Sequence, residues 1–123
     1  MRQKKVVYIA GPITGVDRYW EAFEQAEEDL LGRGYTPLSP AHLPTGLTNA
    51  QYTRIDFAMI DCADAVLFLP GWKASEGASL EHAYCEYNSK PVVFLRTQNH
   101  NGHKLSREEV QAWLNQDLER VLK

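Results

Sequence analysis

Leu69-Pro-Gly-Trp-Lys-Ala-Ser-Glu-Gly-Ala-Ser-Leu-Glu-His-Ala83 is the stretch that decides the fold. Ahead of it, Ala65-Val-Leu-Phe-Leu69 is a short apolar run of strand type, and behind it Ala78 to Ser89 reads as a helix. Between them stand Gly71, Ser75 and Gly77, residues of loops and helix caps. Strand, glycine-bearing loop and helix form the junction where α/β proteins bind ligands, because free N–H groups at the helix start face the space beyond the strand end. Glu81 falls in the first turn or so of that helix, where the dipole favours a carboxylate anion by roughly 0.3–1 kcal/mol when exposed. Such a residue either caps the helix or, kept ionised in a crevice, acts as a nucleophile or base. The stretch alone leaves both readings open.

Working outward, Thr48-Asn-Ala-Gln51 has the capping-box form and opens a helix running to about Asp61. Ile55, Met59 and Cys62 share one face, read as the core face, with Tyr52, Asp56 and Ile60 on a neighbouring stripe. Further back, Lys5 to Ala10 suits a buried parallel strand, ended by Gly11-Pro-Ile-Thr-Gly15. Asp17 is a good N-cap for a helix to about Arg33, with Trp20, Phe23, Ala26, Leu30 and Leu31 apolar and Gly34 as the terminating glycine. Tyr35 to Leu38 is a second strand and Ser39 to Gly46 a loop. Toward the C-terminus, Pro91 to Arg96 is a fourth strand and Thr97 to Lys104 a polar loop. Ser106-Arg-Glu-Glu109 is a second capping box, before a helix with Val110, Trp113, Leu114, Leu118, Val121 and Leu122 on one face.

Strands alternating with helices place the chain in the α/β class: a single domain over residues 1–123, built as a three-layer sandwich around a parallel sheet. Four strands are expected, with a fifth allowed. The favoured order is 2-1-3-4, a flavodoxin-like or Rossmann-like arrangement whose switch point lies between strands 1 and 3. The loops leaving those strands, Gly11 to Gly15 and Pro70 to Gly77, are also the most glycine-marked in the chain. Pattern and topology therefore point to one crevice.

A net charge of −3 argues against non-specific binding to a nucleic-acid polymer. No apolar run approaches the ~20 residues of a membrane span. The N-terminus enters a strand directly without signal-peptide character, which makes a cytoplasmic location the expectation. Cys62 and Cys85 lack metal-type spacing and read as buried free thiols. His100-Asn-Gly-His103 has the spacing of half a metal site but lies in a polar loop, while His42 and His82 lack partners in the sequence; no metal is expected. The dinucleotide fingerprint, the Walker loop and the nucleophile elbow are absent, and no cofactor is expected.

What remains is carboxylate chemistry beside loops suited to hydroxyls or phosphate. Backbone N–H groups of Gly11, Pro12-flanked Ile13, Thr14 and Gly15, with Ser75 and Gly77 at a helix start, suit an anion, and Arg18 or Lys73 adds charge. Asp64, at the entry of the third strand, reads as structural. Asp56 alone reads as a solvated mid-helix residue. Two acids without a metal are the equipment of glycosyl transfer.

Tyr8-Ile-Ala-Gly-Pro12, then Asp56, Ile60 and Ala63-Asp64, then Ser75-Glu-Gly77 and Glu81, resemble the nucleoside 2-deoxyribosyltransferase family over about residues 5 to 95. The Ser-x-Gly before the glutamate also resembles the deoxynucleoside 5′-monophosphate N-glycosidases. The resemblance implies cleavage or exchange of an N-glycosidic bond, with Glu81 as the nucleophile that takes the deoxyribosyl group. It implies that Tyr8 holds this glutamate, that Asp56 assists at base or sugar, and that Gly11 to Gly15, Ser75 and Gly77 contact sugar or 5′-phosphate. It further implies a nucleoside or nucleotide as partner and a homodimer or higher homo-oligomer. Where the transferase carries another acid after the third strand, this chain has Gly71, Trp72 and Lys73, a ring and a cation that favour a phosphorylated ligand. A nucleotide-binding or sensing module on the same fold is the alternative, with a flavin domain behind it for want of an FMN phosphate loop.

Overall fold

The computed structural model describes residues 3–122. Its elements run β1 (Val6–Ala10), α1 (Tyr19–Gly32), β2 (Thr36–Leu38), α2 (Asn49–Cys62), β3 (Ala65–Phe68), α3 (Glu76–Tyr87), β4 (Val92–Phe94) and α4 (Arg107–Leu122), with short 3-10 turns at Pro40–His42 and Trp72–Ala74. Among the described residues the sheet has four strands, all parallel, in the order β2-β1-β3-β4.

Strand alternation divides the core. Val7 and Ile9 of β1, with Leu67 of β3 and Leu69 just after it, pack toward α1 and α4, against Phe23, Ala26, Leu30, Leu114 and Leu118. Tyr8 and Ala10, with Val66 and Phe68, turn the other way, against Ile60 of α2, Ala63 and Cys85 of α3. The layers are thus α1/α4, sheet, α2/α3. Register places Tyr8 between Leu38 and Val66, in the middle of the sheet.

Both capping boxes form. Thr48 Oγ1 accepts from Gln51 N at 3.1 Å while Gln51 Oε1 accepts from Thr48 N at 2.9 Å. At α4, Ser106 Oγ accepts from Glu109 N at 3.2 Å while Glu109 Oε1 accepts from Ser106 N at 2.9 Å. Gly34 takes the left-handed conformation (φ 84°) that ends α1. Asp64 is structural: its Oδ2 accepts from Val6 N at 2.8 Å, pinning the start of β1 beside β3.

Several expectations fail, for physical reasons. Arg18, in the left-handed region (φ 55°), takes the N-cap position of α1 that was expected of Asp17. Trp20 and Leu31 lie on the exposed face of α1. In α2 the inward stripe is Tyr52, Asp56 and Ile60, with Ile60 fully buried, while Ile55 and Cys62 face out. Both stripes have helical spacing; of the more apolar one only Met59 packs against the core, on the cluster of Tyr8 and Ile60. Cys62 is therefore exposed, whereas Cys85 is buried. Trp113 is half-exposed because the Arg96 guanidinium covers it, 4.5 Å from the ring centroid.

Two buried aspartates hold α4 in place. Asp117 accepts from Arg96 Nε and Nη2, each at 3.0 Å, tying α4 to the segment after β4. Asp29 Oδ1 accepts from Arg107 at 2.7 Å and from Gln111 and Gln25 at 3.2 Å, tying α4 to α1.

Candidate active site

The apolar stripe of α3 is Ala78, Glu81 and Cys85, spaced to face the sheet, and Glu81 occupies a core position in it at 7% exposure. Directly beneath, Tyr8 points up from β1, fully buried. Its hydroxyl donates to Glu81 Oε2 at 2.7 Å, across 73 positions of sequence. Asp56 enters from α2, on the inward stripe beside Ile60, and its Oδ1 is buried with no hydrogen-bond partner among the described residues. Three elements that are distant in sequence thus converge on one spot in the α2/α3 layer.

The helix dipole does not govern this carboxylate. α3 begins at Glu76, two residues before the expected Ala78, so Glu81 lies in the second turn, beyond the free N–H groups. Burial governs instead, pushing the Glu81 carboxyl up to about 8; the Tyr8 hydrogen bond opposes this and the Asp56 charge adds to it. Burial also raises Asp56, with the neighbouring Glu81 side chain acting in the opposite sense. A buried carboxyl and a partly buried one beside it disfavour each other's charge, so the two titrate as a unit rather than independently. Burial, then the Glu81 charge, raises Tyr8 beyond any physiological range, keeping it a permanent O–H donor. The Cys85 thiol, pushed up to about 11 by burial, is not nucleophilic at neutral pH.

The predicted loops meet, though their residues divide. Gly11 is buried and packing-limited: a Cβ there would stand 3.0 Å from Leu69 Cβ. Gly71, left-handed at φ 87°, faces Pro12, whose Cγ would lie 3.4 Å from an added Cβ. The loops after β1 and β3 therefore touch across the switch point. Ile13, however, packs on the α1/α4 cluster, away from the carboxylates. Its carbonyl accepts from Val16 N at 3.1 Å, closing a turn in which Thr14 and Gly15 are exposed. Arg18 pairs with Glu21 at the start of α1. Ser75 is the N-cap of α3, its Oγ accepting from Ala78 N at 3.2 Å, and Gly77 lies exposed in the first turn.

A cavity of about 360 Å³ opens at the carboxyl ends of β3 and β4, bounded by Gly71, Trp72 and Lys73 and by Phe68, Phe94 and Leu95, which sequence reasoning did not single out. It lies on the far side of β3 from the expected crevice between strands 1 and 3, because Gly11 packs directly on Leu69 there. Tyr8, Asp56 and Glu81 are not among the cavity's lining residues; Trp72 is, and it packs on His82, the residue after Glu81, with ring centroids 4.5 Å apart. Phe94 stacks on Trp72 at 5.6 Å, and Lys73 Nζ lies 5.8 Å from the Trp72 centroid. The missed residues carried one signal: Phe94 is a large aromatic at the end of a strand otherwise made of valines.

The remaining histidines have structural surroundings. His42 Nε2 meets Glu27 at 2.8 Å and His82 Nδ1 meets Glu86 at 3.4 Å. His103 lies in a turn organised by Asn99, whose Oδ1 accepts from its backbone N at 3.0 Å. Among the described residues no three His, Cys, Asp or Glu side chains gather as a metal site, and no helix is long and apolar enough to cross a membrane.

Residues 5–94 match the family described as "Domain of unknown function (DUF4406)". No curated protein matches the chain. Among solved structures it is similar to a 2-desoxiribosyltransferase from Leishmania mexicana, with a TM-score of 0.61 and 18% identity over 84% of this chain and 75% of that one. At that identity the likeness is one of fold.

Proposed function

We propose that this chain, which belongs to the DUF4406 family, breaks or exchanges the N-glycosidic bond of a 2-deoxynucleoside or its 5′-monophosphate through a covalent deoxyribosyl-Glu81 intermediate. The observation that carries the reading is the 2.7 Å hydrogen bond from Tyr8 to a buried Glu81 that shares its surroundings with Asp56. A purely structural core has no use for a buried carboxyl beside a second, partly buried one, since burying them costs stability. The name of the structural neighbour, a deoxyribosyltransferase, is in keeping with the same chemistry.

With one proton shared between the pair, each carboxyl has a role. Tyr8 donates to Glu81 and so favours the anion there, and in the reactive form of the pair the proton lies on Asp56. In the first half-reaction a Glu81 oxygen bonds to C1′ as the C1′–N bond breaks. The bond's electrons pass to the base nitrogen, which takes the proton from Asp56. The transition state is oxocarbenium-like, and the Glu81 charge stabilises it before the new bond is complete. In the second half-reaction water, or the nitrogen of a second base, attacks C1′ and gives a proton back to Asp56, freeing Glu81. Tyr8 fixes the rotamer of Glu81, so that one oxygen is aimed before substrate arrives. Trp72 and Lys73, at the cavity mouth, supply a ring for a base and a cation for a phosphate.

The test is incubation with a panel of deoxynucleosides and their 5′-monophosphates, with released base read by chromatography and the enzyme's intact mass read for a deoxyribosyl adduct. Glu81→Gln keeps shape and removes charge; turnover is expected to fall by roughly three orders of magnitude, about 4 kcal/mol of barrier, with binding retained. Near-normal turnover by Glu81→Gln would remove the nucleophile assignment. Tight nucleotide binding by a wild type that releases no base from any member of the panel would leave a nucleotide-binding module in its place.

A further inference from the structure

Of the four helices among the described residues, α2 is the least anchored, yet it is the one that carries Asp56 inward. It buries Ile60 alone, while α1, α3 and α4 bury three or four residues each. Phe57 and Met59 are only partly covered by the cluster around Tyr8. Asp56 itself works against close packing, because its buried Oδ1 has no hydrogen-bond partner among the described residues. A helix with one buried anchor and an inward carboxyl needs a tie elsewhere, and Tyr84 of α3 supplies it. Its ring stacks on Phe57, the residue after Asp56, with centroids 4.0 Å apart and planes 17° from parallel. Its hydroxyl donates to Asp61 Oδ1, one turn further along α2, at 2.7 Å.

We infer that Tyr84 is the positioning residue of the acid pair, a role that rests on the N-glycosidic reading above: by gripping α2 at Phe57 and Asp61 it holds Asp56 against Glu81. Both helices lead into parallel strands from the same face of the sheet, so they run in the same direction and their contacts advance together. Asp56 meets Glu81, and Phe57 and Asp61 meet Tyr84, three residues further along α3. Ring and hydroxyl restrain different motions. The stack fixes how closely α2 lies against α3. The hydroxyl, reaching one turn past Phe57, fixes the sliding of α2 along α3, since a slip by one residue, about 1.5 Å, breaks so short a hydrogen bond. A slip on that scale is also one at which a misplaced reacting group loses about a hundredfold in rate. Tyr84 spends its hydroxyl on Asp61 rather than on the pair, so it acts through α2. Tyr8 thus holds Glu81 from the sheet, and Tyr84 holds Asp56 from α3.

Carboxyl-carbon NMR of the full chain reads the pair directly, without any turnover; the Glu81 signal is identified by its loss in Glu81→Gln. The titratable groups facing Glu81 are Tyr8 from β1, Asp56 from α2 and Cys85 one turn on in α3, and of these the variants displace Asp56. Tyr84→Leu removes ring and hydroxyl at a partly buried position that accepts a strong helix former. The Glu81 midpoint is expected to fall by about one pH unit as Asp56 draws away. Asp56→Asn should lower the Glu81 midpoint in the wild type and add nothing in Tyr84→Leu, because the two changes remove the same contact. Tyr84→Phe keeps the stack and should give a smaller fall. Asp61→Ala should match Tyr84→Phe, and Asp61→Asn, which keeps an acceptor, should restore the wild-type midpoint. On a substrate from the deoxynucleoside panel, kcat of Tyr84→Leu should fall roughly 100-fold with KM little changed. Tyr87→Ala, on the exposed side of α3, is the control and should move neither midpoint nor kcat. A Glu81 midpoint unmoved by Tyr84→Leu, or an Asp56→Asn shift of full size in that background, overturns the assignment. If Tyr84→Leu does not fold, an Asp61→Ala midpoint equal to that of the wild type overturns it instead. Shifted midpoints in a protein that cleaves no member of the panel uphold the positioning role and remove only the reaction.

Discussion

Replacing Glu81 with Gln should stabilise the folded chain above neutral pH, by an amount that grows as pH rises. In the unfolded chain this carboxyl titrates near 4.5; in the fold, burial chiefly pushes it up to about 8. Between those values the folded state binds more protons than the unfolded one, so stability falls as pH rises. The contribution of a protonated Glu81 is fully present below about pH 4.5, declines through the interval and is gone above about pH 8. At about 1.4 kcal/mol per tenfold change in proton affinity, the separation corresponds to a loss on the order of 5 kcal/mol across the interval. That is a large share of the 5–15 kcal/mol typical of a whole domain, roughly. Gln cannot ionise, yet its carbonyl still accepts from Tyr8 and its amide donates toward Asp56. Urea unfolding of wild type and Glu81→Gln, followed by circular dichroism at about pH 5, 7 and 9, should give similar midpoints at the lowest pH. At the highest, the variant should be more stable by about 3–5 kcal/mol. Parallel stability curves for the two proteins would refute the reasoning, because they would mean that Glu81 titrates in the fold as it does in water. The same outcome would weaken the proton sharing on which the proposed chemistry depends.

Tyr8→Phe removes the donor that holds the Glu81 proton affinity down, so the acid limb of the pH–rate profile should move to higher pH. Turnover should fall roughly 10- to 100-fold; an unmoved limb would show that the hydroxyl is not felt by the ionising carboxyl. Gly11→Ala introduces a Cβ 3.0 Å from Leu69 Cβ, where two backbone segments already touch, and should destabilise by about 1–3 kcal/mol in thermal or urea unfolding. The two cysteines should part under a thiol reagent: exposed Cys62 reacts in the native protein, while buried Cys85, pushed up to about 11, reacts only on unfolding. Asp117→Ala strips Arg96 of both charge-assisted hydrogen bonds and should lower stability by about 2 kcal/mol, read from the urea midpoint.

The order of the strands was legible because it rests on local, repeating signals. β-branched runs, capping boxes at Thr48 and Ser106 and the glycine after α1 act over a few residues and mark the element ends directly. Alternation of strand and helix, with right-handed crossovers, then leaves few topologies, and β2-β1-β3-β4 is the one adopted. Tyr8, Asp56 and Glu81 could be named from a pattern of residue types and spacings; their proximity could not be derived from that pattern.

The tertiary structure decided everything that depends on which face meets which. Two stripes of α2 have helical spacing, and period alone cannot say which one turns inward, so Ile55 and Cys62 went to solvent while Asp56 went to the core. The same choice changed the physics of Glu81. In sequence it stood near a helix start, where the dipole would hold it ionised. In the fold it is a core residue of α3, where desolvation dominates and raises its proton affinity. It decided too that Ser75 spends its hydroxyl on its own helix, Arg18 its charge on Glu21, and Ile13 its side chain on the opposite layer. Sequence determines secondary structure and topology here because those follow from neighbours along the chain. Burial, the charge state of a carboxyl and the location of a cavity follow from neighbours in space, and these are fixed only when the layers pack.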